Sequence, residues 1–215
     1  MSKATVGNED KPNRMDRRRM ETRAKLLKAT LSLVIKKGIE KTTMDDITEK
    51  ADLGRRTLYY HFGSKEECII AAAAQSYTKI AAAADQSAHT HEDPAIAVAV
   101  AEQLVIRKLL EAPITERLID YPRFLATALR SSISDFVYQD LQLGVEQGRF
   151  EPILNGPLLD TSVMWILVGF LIETIENKLS VEESLNNFTQ MHLVFLGLGR
   201  EEARQVASKA TALIA

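Results

Sequence analysis

The sequence has little of what a disulfide-bonded, zinc-binding or membrane-spanning protein needs. Its 215 residues include one cysteine, Cys68, so a disulfide cannot form within the chain, which excludes a disulfide-stabilised secreted domain. Four scattered histidines give no Cys/His zinc framework. The longest apolar run, 163–172, is shorter than the ~20 residues of a spanning helix, and the polar N-terminus lacks the apolar segment of a signal peptide. We therefore expect a cytoplasmic protein with no membrane partner.

Residue patterns typical of enzymes are also missing. The sequence has no Gly-rich phosphate-binding loop, and no Ser-His-Asp or Cys-His set in the local context of a nucleophilic site. His89 and His91 are possible metal ligands, but no further ligand lies close to them in sequence. Cys68 is expected to be buried, with a redox sensor as the alternative. We therefore expect no enzymatic activity, no cofactor and no metal.

What the sequence does contain is an uneven distribution of charge. Hydrophobic residues make up 46% and charged residues 26%, which is ordinary for a globular protein. The net charge is −2, yet residues 1–70 carry 16 Lys and Arg against 11 Asp and Glu, whereas residues 71–215 carry 11 against 18. A basic N-terminal third followed by an acidic remainder suggests a nucleic-acid-binding segment on a body with another task.

Apolar residues recur at helical spacing along most of the chain, which predicts an all-α fold. Residues 1–15 lack this periodicity and are expected to form a disordered arm. We predict a three-helix helix-turn-helix domain over 16–67 and a helical-bundle regulatory and dimerisation domain over 68–215. Gly and Pro residues separate the later helices, which are expected at 65–84, 95–111, 115–130, 134–147, 158–178, 181–198 and 200–213.

Residues 43–62 have the spacing of a helix-turn-helix. Thr43 is expected to cap a first helix of about eight residues, and a short break leads to a second helix of similar length. Asp46, the third residue of the first helix, is one methylene shorter than the acid of a full capping box. The second helix holds side chains that can reach base edges or phosphates in a major groove: Arg55, Arg56, Thr57, Tyr59, Tyr60 and His61.

These residues resemble the tetracycline-repressor-like (TetR) family of transcriptional regulators. The resemblance runs from Thr22 to about Ala71 and is most specific in Thr-Leu-Tyr-Tyr-His-Phe-Gly-Ser-Lys, residues 57–65. Asp52 stands where the family has Gly, and Gly54 where it has Ser or Thr, which we expect to alter sequence preference. The resemblance implies that Arg55, Arg56 and Tyr59 face base edges, that Thr43, Thr57, Tyr60, His61 and Lys65 hold phosphates, and that Arg17, Arg18, Arg19 and Arg23 add further DNA contacts.

The resemblance also implies a homodimer and a pocket for a small, partly apolar molecule. The last two long helices are expected to form the dimer seam, with intrachain core as the alternative, through Leu167, Phe170, Leu171, Leu185, Phe188, Met191, His192 and Phe195. Arg107 could pair with an anionic ligand or with Glu111, or lie at the surface. The candidate pocket residues, each of which could instead belong to the core, are Leu104, Arg107, Tyr121, Phe124, Phe136, Tyr138, Met164, Trp165 and Val168.

Together these features predict a ligand-responsive, DNA-binding transcriptional regulator. We expect a repressor that binds a palindromic operator in double-stranded DNA as a dimer and is released by its small-molecule effector. Two alternatives stay open. One is a helical small-molecule-binding protein without specific DNA function, and the other is a DNA-binding regulator that needs no ligand.

Overall fold

The computed structural model describes residues 13–88, 90–151 and 157–214, in which every regular element is an α-helix, as predicted. The helices of these residues are α1 (Arg14–Lys37), α2 (Met44–Ala51), α3 (Arg55–His61), α4 (Lys65–Ala88), α5 (Pro94–Glu111), α6 (Pro113–Leu118), α7 (Pro122–Glu146), α8 (Pro157–Glu176), α9 (Val181–Phe195) and α10 (Arg200–Ile214). None of the helices in the described part combines the length and hydropathy that a membrane span requires.

We call α1 to α3 the head of the molecule. Its second helix begins with a capping box, although the side chain of Asp46 is one methylene shorter than the usual acid. Thr43 Oγ1 accepts a hydrogen bond from the Asp46 amide at 3.2 Å, and Asp46 Oδ2 accepts one from the Thr43 amide at 2.7 Å. Asp46 is therefore long enough to complete the motif, and α2 begins where the sequence predicted.

The turn between α2 and α3 depends on a residue in the left-handed conformation. Asp52 has φ 53, a region that Asp tolerates better than most residues, and Gly54 precedes α3 without a side-chain cap. The turn directs Leu58 and Phe62 inward, where they pack with Ile47 in the core of the head. This tight pair of helices is the helix-turn-helix that the spacing of residues 43–62 predicted.

We call α5 to α10 the body. Here one predicted boundary is wrong, because helices expected at 115–130 and 134–147 are instead a short α6 and an uninterrupted α7. Pro122 begins α7, where a residue without an N–H is tolerated. Ser132, in the expected break, is helical, and its Oγ bonds the carbonyl oxygen of Ala128 at 2.7 Å.

Helix α4 belongs to the cores of both parts. Cys68 and Ala72, near its start, pack in the core of the head, whereas Ile69, Tyr77 and Ala81 pack in the main core of the body. Its 24 residues span about 36 Å at the usual rise per residue. A single continuous helix therefore connects the core of the head to the main core of the body.

Cys68 is fully buried, as expected, and its Sγ lies 3.1 Å from Thr30 Oγ1. Burial raises the pKa of the thiol above its ordinary value. A buried thiol with a raised pKa is poorly reactive, so its surroundings fit a structural role in the core of the head.

A second core of the body joins α5 to α9 and α10 around Phe150. Arg149 forms two ion pairs at this end of the molecule. Its Nε lies 2.8 Å from Asp93 Oδ1, and its Nη1 lies 2.9 Å from Glu202 Oε1. The ion pairs link the start of α5 to the first turn of α10, so the helices around this core are held in one arrangement.

Candidate functional site

The outer face of α3 presents polar and aromatic side chains to solvent. Arg55 and Arg56 are exposed, and Tyr59 and Tyr60 retain 57% and 68% of their full exposure. Thr57 and His61 are half-buried at the edges of this face. Exposed arginines and aromatic rings on a short helix supply hydrogen-bond donors and stacking surfaces that fit the groove of a nucleic acid.

An acidic residue of α2, not singled out by the sequence, restrains one of these arginines. The guanidinium of Arg55 forms an ion pair with the carboxylate of Asp45, and both side chains are more than half exposed. Residues 45 and 55 lie too far apart for helical spacing to indicate this contact. The predicted contact of Arg55 with a base or a phosphate would therefore require this arginine to exchange or share its partner Asp45.

The arginines of α1 lie beside the end of α3. The guanidinium carbon of Arg19 is 5.6 Å from the ring centre of Tyr60, and that of Arg23 is 5.0 Å from the ring centre of Phe62. Burial first, and then the charges of Arg19 and Arg23, lower the pKa of His61 below its usual value. His61 is therefore uncharged at neutral pH, and Arg19 and Arg23 supply the positive charge here.

The remaining predicted DNA contacts lie around the same face. Arg17 and Arg18 are exposed on the first turns of α1. Thr43 is exposed but its hydroxyl hydrogen-bonds Asp46, and Lys65 Nζ donates to the Ile39 carbonyl oxygen at 3.2 Å. Contacts of these residues with DNA stay predictions, since each of the last two already has a partner within the chain.

The body contains a cavity lined by residues of α4, α5, α7, α8 and α9, and part of it is open to solvent. Its walls are mainly apolar, as the walls of small-molecule sites commonly are. Two of the nine predicted pocket residues, Phe136 and Met164, line it. The other seven lie outside its lining: Leu104, Arg107, Tyr121, Phe124, Tyr138, Trp165 and Val168.

Those seven residues have other surroundings. Arg107 Nη1 donates to the Ile214 carbonyl oxygen at 3.2 Å, while Lys108 pairs with Glu111. Tyr121 stacks on Phe124, and its hydroxyl donates to Glu40 at 3.2 Å. Val168 is in the main core, Leu104 packs against the second core, and Tyr138 and Trp165 are exposed. Helical periodicity predicted which residues share one face of a helix. It did not predict whether that face points towards the cavity.

Four polar side chains reach the cavity: Asp85, Glu102, Asp140 and His192. Glu102 is held by α9, because Thr189 Oγ1 donates to its Oε1 at 2.7 Å and His192 Nδ1 bonds its Oε2. Burial lowers the pKa of His192, but the adjacent carboxylate of Glu102 outweighs burial, so the pKa lies above its usual value. The sequence assigned His192 to the dimer seam and gave no signal for Glu102.

The predicted dimer seam divides into buried and exposed residues. Phe170 is half-buried, and Met191 and Phe195 are exposed by 49% and 54%. Five others are buried within the chain itself, which was the stated alternative: Leu167, Leu171, Leu185, Phe188 and His192. We call five of the exposed apolar residues of α8 and α9 the α8–α9 face: Trp165, Ile166, Met191, Val194 and Phe195.

No group of three possible metal ligands occurs within residues 13–88, 90–151 and 157–214. His91 is half-buried in the loop before α5, and His89 lies outside the described residues.

Residues 26–72 match the family model of bacterial regulatory proteins, tetR family. The chain is 35% identical over 77 residues to the HTH-type transcriptional repressor KstR of Rhodococcus jostii, covering 36% of this chain and 35% of KstR. It is 39% identical over 49 residues to the HTH-type transcriptional regulator TtgR of Pseudomonas putida, covering 23% of each chain. The alignment thus spans about a third or less of the length of these curated relatives.

Solved structures extend the similarity to the body. The chain is 27% identical to RolR in complex with its ligand resorcinol, with a TM-score of 0.71, covering 89% of this chain and 95% of that one. RolR without ligand gives a TM-score of 0.72. The chain is therefore similar to the tetR family of bacterial regulatory proteins over residues 26–72 and to RolR over most of its length.

Proposed function

We propose that the protein is a cytoplasmic DNA-binding repressor that binds a palindromic operator as a homodimer and releases it when a small effector occupies the body cavity. The observation that carries this proposal is the position of α4. Its first residue, Lys65, follows closely on α3, and Ala81, Ala84 and Asp85 near its other end line the cavity. One helix therefore connects the surface that meets DNA to the space that can hold a ligand.

The DNA-binding part rests on the exposed face of α3 and on the charge of the first 70 residues. A helix of seven residues reads only a few base pairs, so a specific site needs two copies of it on successive half-sites. The α8–α9 face supports a symmetric dimer, because five large apolar side chains at 40% exposure or more lie on two adjacent helices.

The effector part rests on the cavity and on the similarity to RolR, whose ligand is resorcinol. The walls here are mainly apolar with a few polar groups, so we propose a small, largely apolar effector. The repressor assignment follows the description of KstR, to which the chain is 35% identical over 77 residues.

The proposed mechanism is a shift between two arrangements of α4. Within the body α4 is held by packing and by the hydroxyl groups of Tyr77 and Thr115, which lie 3.1 Å apart and join α4 to α6. An effector that fits the cavity better in one arrangement favours that arrangement and changes the separation of the two α3 helices in the dimer. Efficient release requires a preference of about a few kcal/mol between the two arrangements.

Selection of binding sites from fragmented DNA tests the DNA-binding part. We expect the purified protein, at about 0.15 M salt, to enrich a palindrome whose half-sites are about one helical turn apart or slightly more. The double variant Arg55→Ala/Arg56→Ala is the control and should enrich nothing. If the folded wild-type dimer also enriches nothing, the protein is instead a helical small-molecule-binding protein.

A ligand screen tests the effector part once the operator is known. A compound that raises the thermal stability of the protein and lowers its operator affinity supports the proposal. In the variant Ala84→Trp the indole fills the cavity. The compound should then neither raise the thermal stability of this variant nor lower its operator affinity. Compounds that stabilise the protein without changing operator affinity would favour the ligand-independent regulator.

A further inference from the structure

The wall of the cavity contains a buried polar atom without a partner. His192 is 8% exposed and is one of the residues that line the cavity, and its Nε2 makes no hydrogen bond within the described structure. Buried polar atoms are nearly always hydrogen-bonded, because leaving one unpaired costs free energy. A residue of the mainly apolar cavity wall therefore has an unused hydrogen-bonding atom.

The orientation of the His192 imidazole is fixed through its other ring nitrogen, Nδ1. Nδ1 bonds the carboxylate of Glu102, which also accepts a hydrogen bond from Thr189 at 2.7 Å. Because a carboxylate only accepts, Nδ1 carries the proton, and Nε2 is an acceptor in the neutral ring and a donor in the charged one. A hydroxyl group pairs with Nε2 in either state, since it can both donate and accept.

The composition of the wall disfavours a charged ligand. Acidic residues line it from three helices, Asp85 on α4, Glu102 on α5 and Asp140 on α7, whereas α8 lines it with apolar residues alone. Because most of the wall is apolar, burying an added carboxylate there costs free energy that a neutral ligand does not lose. The rings of Phe136 and Phe188 in the wall suit a flat or compact apolar body.

We propose that His192 is the polar anchor of the effector and that the cavity takes an uncharged, apolar compound whose hydroxyl group bonds Nε2. Glu102 is the positioning residue that fixes the ring. This inference rests on the proposed function, because it takes the cavity as the effector site.

Calorimetry with three matched probes tests it: phenol, toluene and benzoate, each added to the full-length protein. We expect phenol to bind about tenfold more tightly than toluene, which has a methyl group in place of the hydroxyl, and benzoate to bind most weakly. His192→Phe should remove the preference for phenol. Glu102→Gln should reduce it, while Val137→Ala, an apolar wall variant, should keep it.

A second measurement avoids any folding defect of the His192 variant. In the wild-type protein, the nitrogen resonance of His192 Nε2 should shift on addition of phenol and stay in place with toluene. Equal binding of phenol and toluene, or an unmoved Nε2 resonance with phenol bound, overturns the assignment of His192 and leaves the cavity as the effector site. If no probe binds even at millimolar concentration, or if Ala84→Trp binds phenol as the wild type does, the effector site in the proposed function is wrong as well.

Discussion

Asp45 and Arg55 show how two side chains of the helix-turn-helix restrain one another. Their ion pair is formed by groups that are 58% and 69% exposed, and such pairs contribute little to stability. Arg55 can therefore exchange Asp45 for a base edge or a phosphate at small cost. The pair holds the guanidinium beside the carboxylate of Asp45, and if Arg55 meets DNA as predicted, that carboxylate would bring a negative charge close to the phosphates.

Replacing Asp45 with Asn should strengthen DNA binding, because it releases Arg55 and removes a negative charge near the phosphates. We expect the operator affinity of Asp45→Asn to rise several-fold at low salt and by less at high salt. Arg56→Ala should instead weaken the binding free energy by about 1–3 kcal/mol. Fluorescence anisotropy with a labelled operator measures both. Glu49→Gln removes another exposed charge of α2 and serves as the control. An equal gain in the two carboxylate variants would show that release of Arg55 plays no part.

At the scale of elements, the start of α2 depends on one carboxylate. Hydrogen bonds from Lys37 and Thr43 lower the pKa of Asp46 from 3.8 to about 2. The folded state therefore binds the proton of Asp46 less readily than the unfolded state does. The resulting stabilisation is complete above pH 4 or so and is lost as the pH falls towards 2.

Asp46→Asn should lower the stability of the protein at neutral pH and flatten its loss between about pH 4 and 2. Thr43→Ala removes the other half of the capping box and should cost about 1 kcal/mol. Urea unfolding at a series of pH values measures these effects, with Asp45→Asn as the control that leaves the box intact. An Asp46→Asn variant that loses stability in acid as steeply as the wild type would contradict this assignment.

One helix also shows where hydrophobic periodicity cannot predict which residues face the core. Helix α8 is apolar on nearly all sides, so its pattern could not tell which residues face the core. The sequence placed Trp165 in the pocket and Leu167 at the seam, whereas the structure exposes Trp165 on the α8–α9 face and buries Leu167 in the cavity wall. The rotation of such a helix is decided by its neighbours.

At the scale of the whole molecule, head and body touch beyond α4. The Tyr121 hydroxyl donates to Glu40 at 3.2 Å, and Arg117 Nε donates to the Ile35 carbonyl oxygen at 3.3 Å. These contacts join the short α6 and the start of α7 to the end of α1. They provide a second connection by which a change in the body can reach the head.

Tyr121→Phe should weaken the coupling between effector and operator while leaving the fold intact, because it removes one exposed hydrogen bond. We expect the effector-induced loss of operator affinity to shrink several-fold. Operator titrations with and without a saturating effector measure this ratio, and Tyr138→Phe, an exposed tyrosine of α7, is the matched control. A coupling ratio equal to that of the wild type would assign the transmission to α4 alone.

The proposed dimer interface, the α8–α9 face, can also be tested by mutation. Phe195→Glu should place a charge in the centre of the proposed interface and give a monomer with little affinity for the palindrome. Size-exclusion chromatography with light scattering measures the mass, and Leu213→Glu on α10 is the control of similar exposure. A dimeric Phe195→Glu variant would move the interface away from the α8–α9 face.

The sequence by itself determined the helical fold, the helix-turn-helix and the side chains that α3 exposes. These follow from local rules: capping by Thr43, the turn at Asp52 and the spacing of Leu58 and Phe62. The tertiary structure decided the continuity of α7, the pair of Asp45 with Arg55 and the cavity in which Glu102 positions His192. The two contacts join residues 10 and 90 positions apart, so their geometry depends on how helices rotate and pack rather than on the pattern within any one of them.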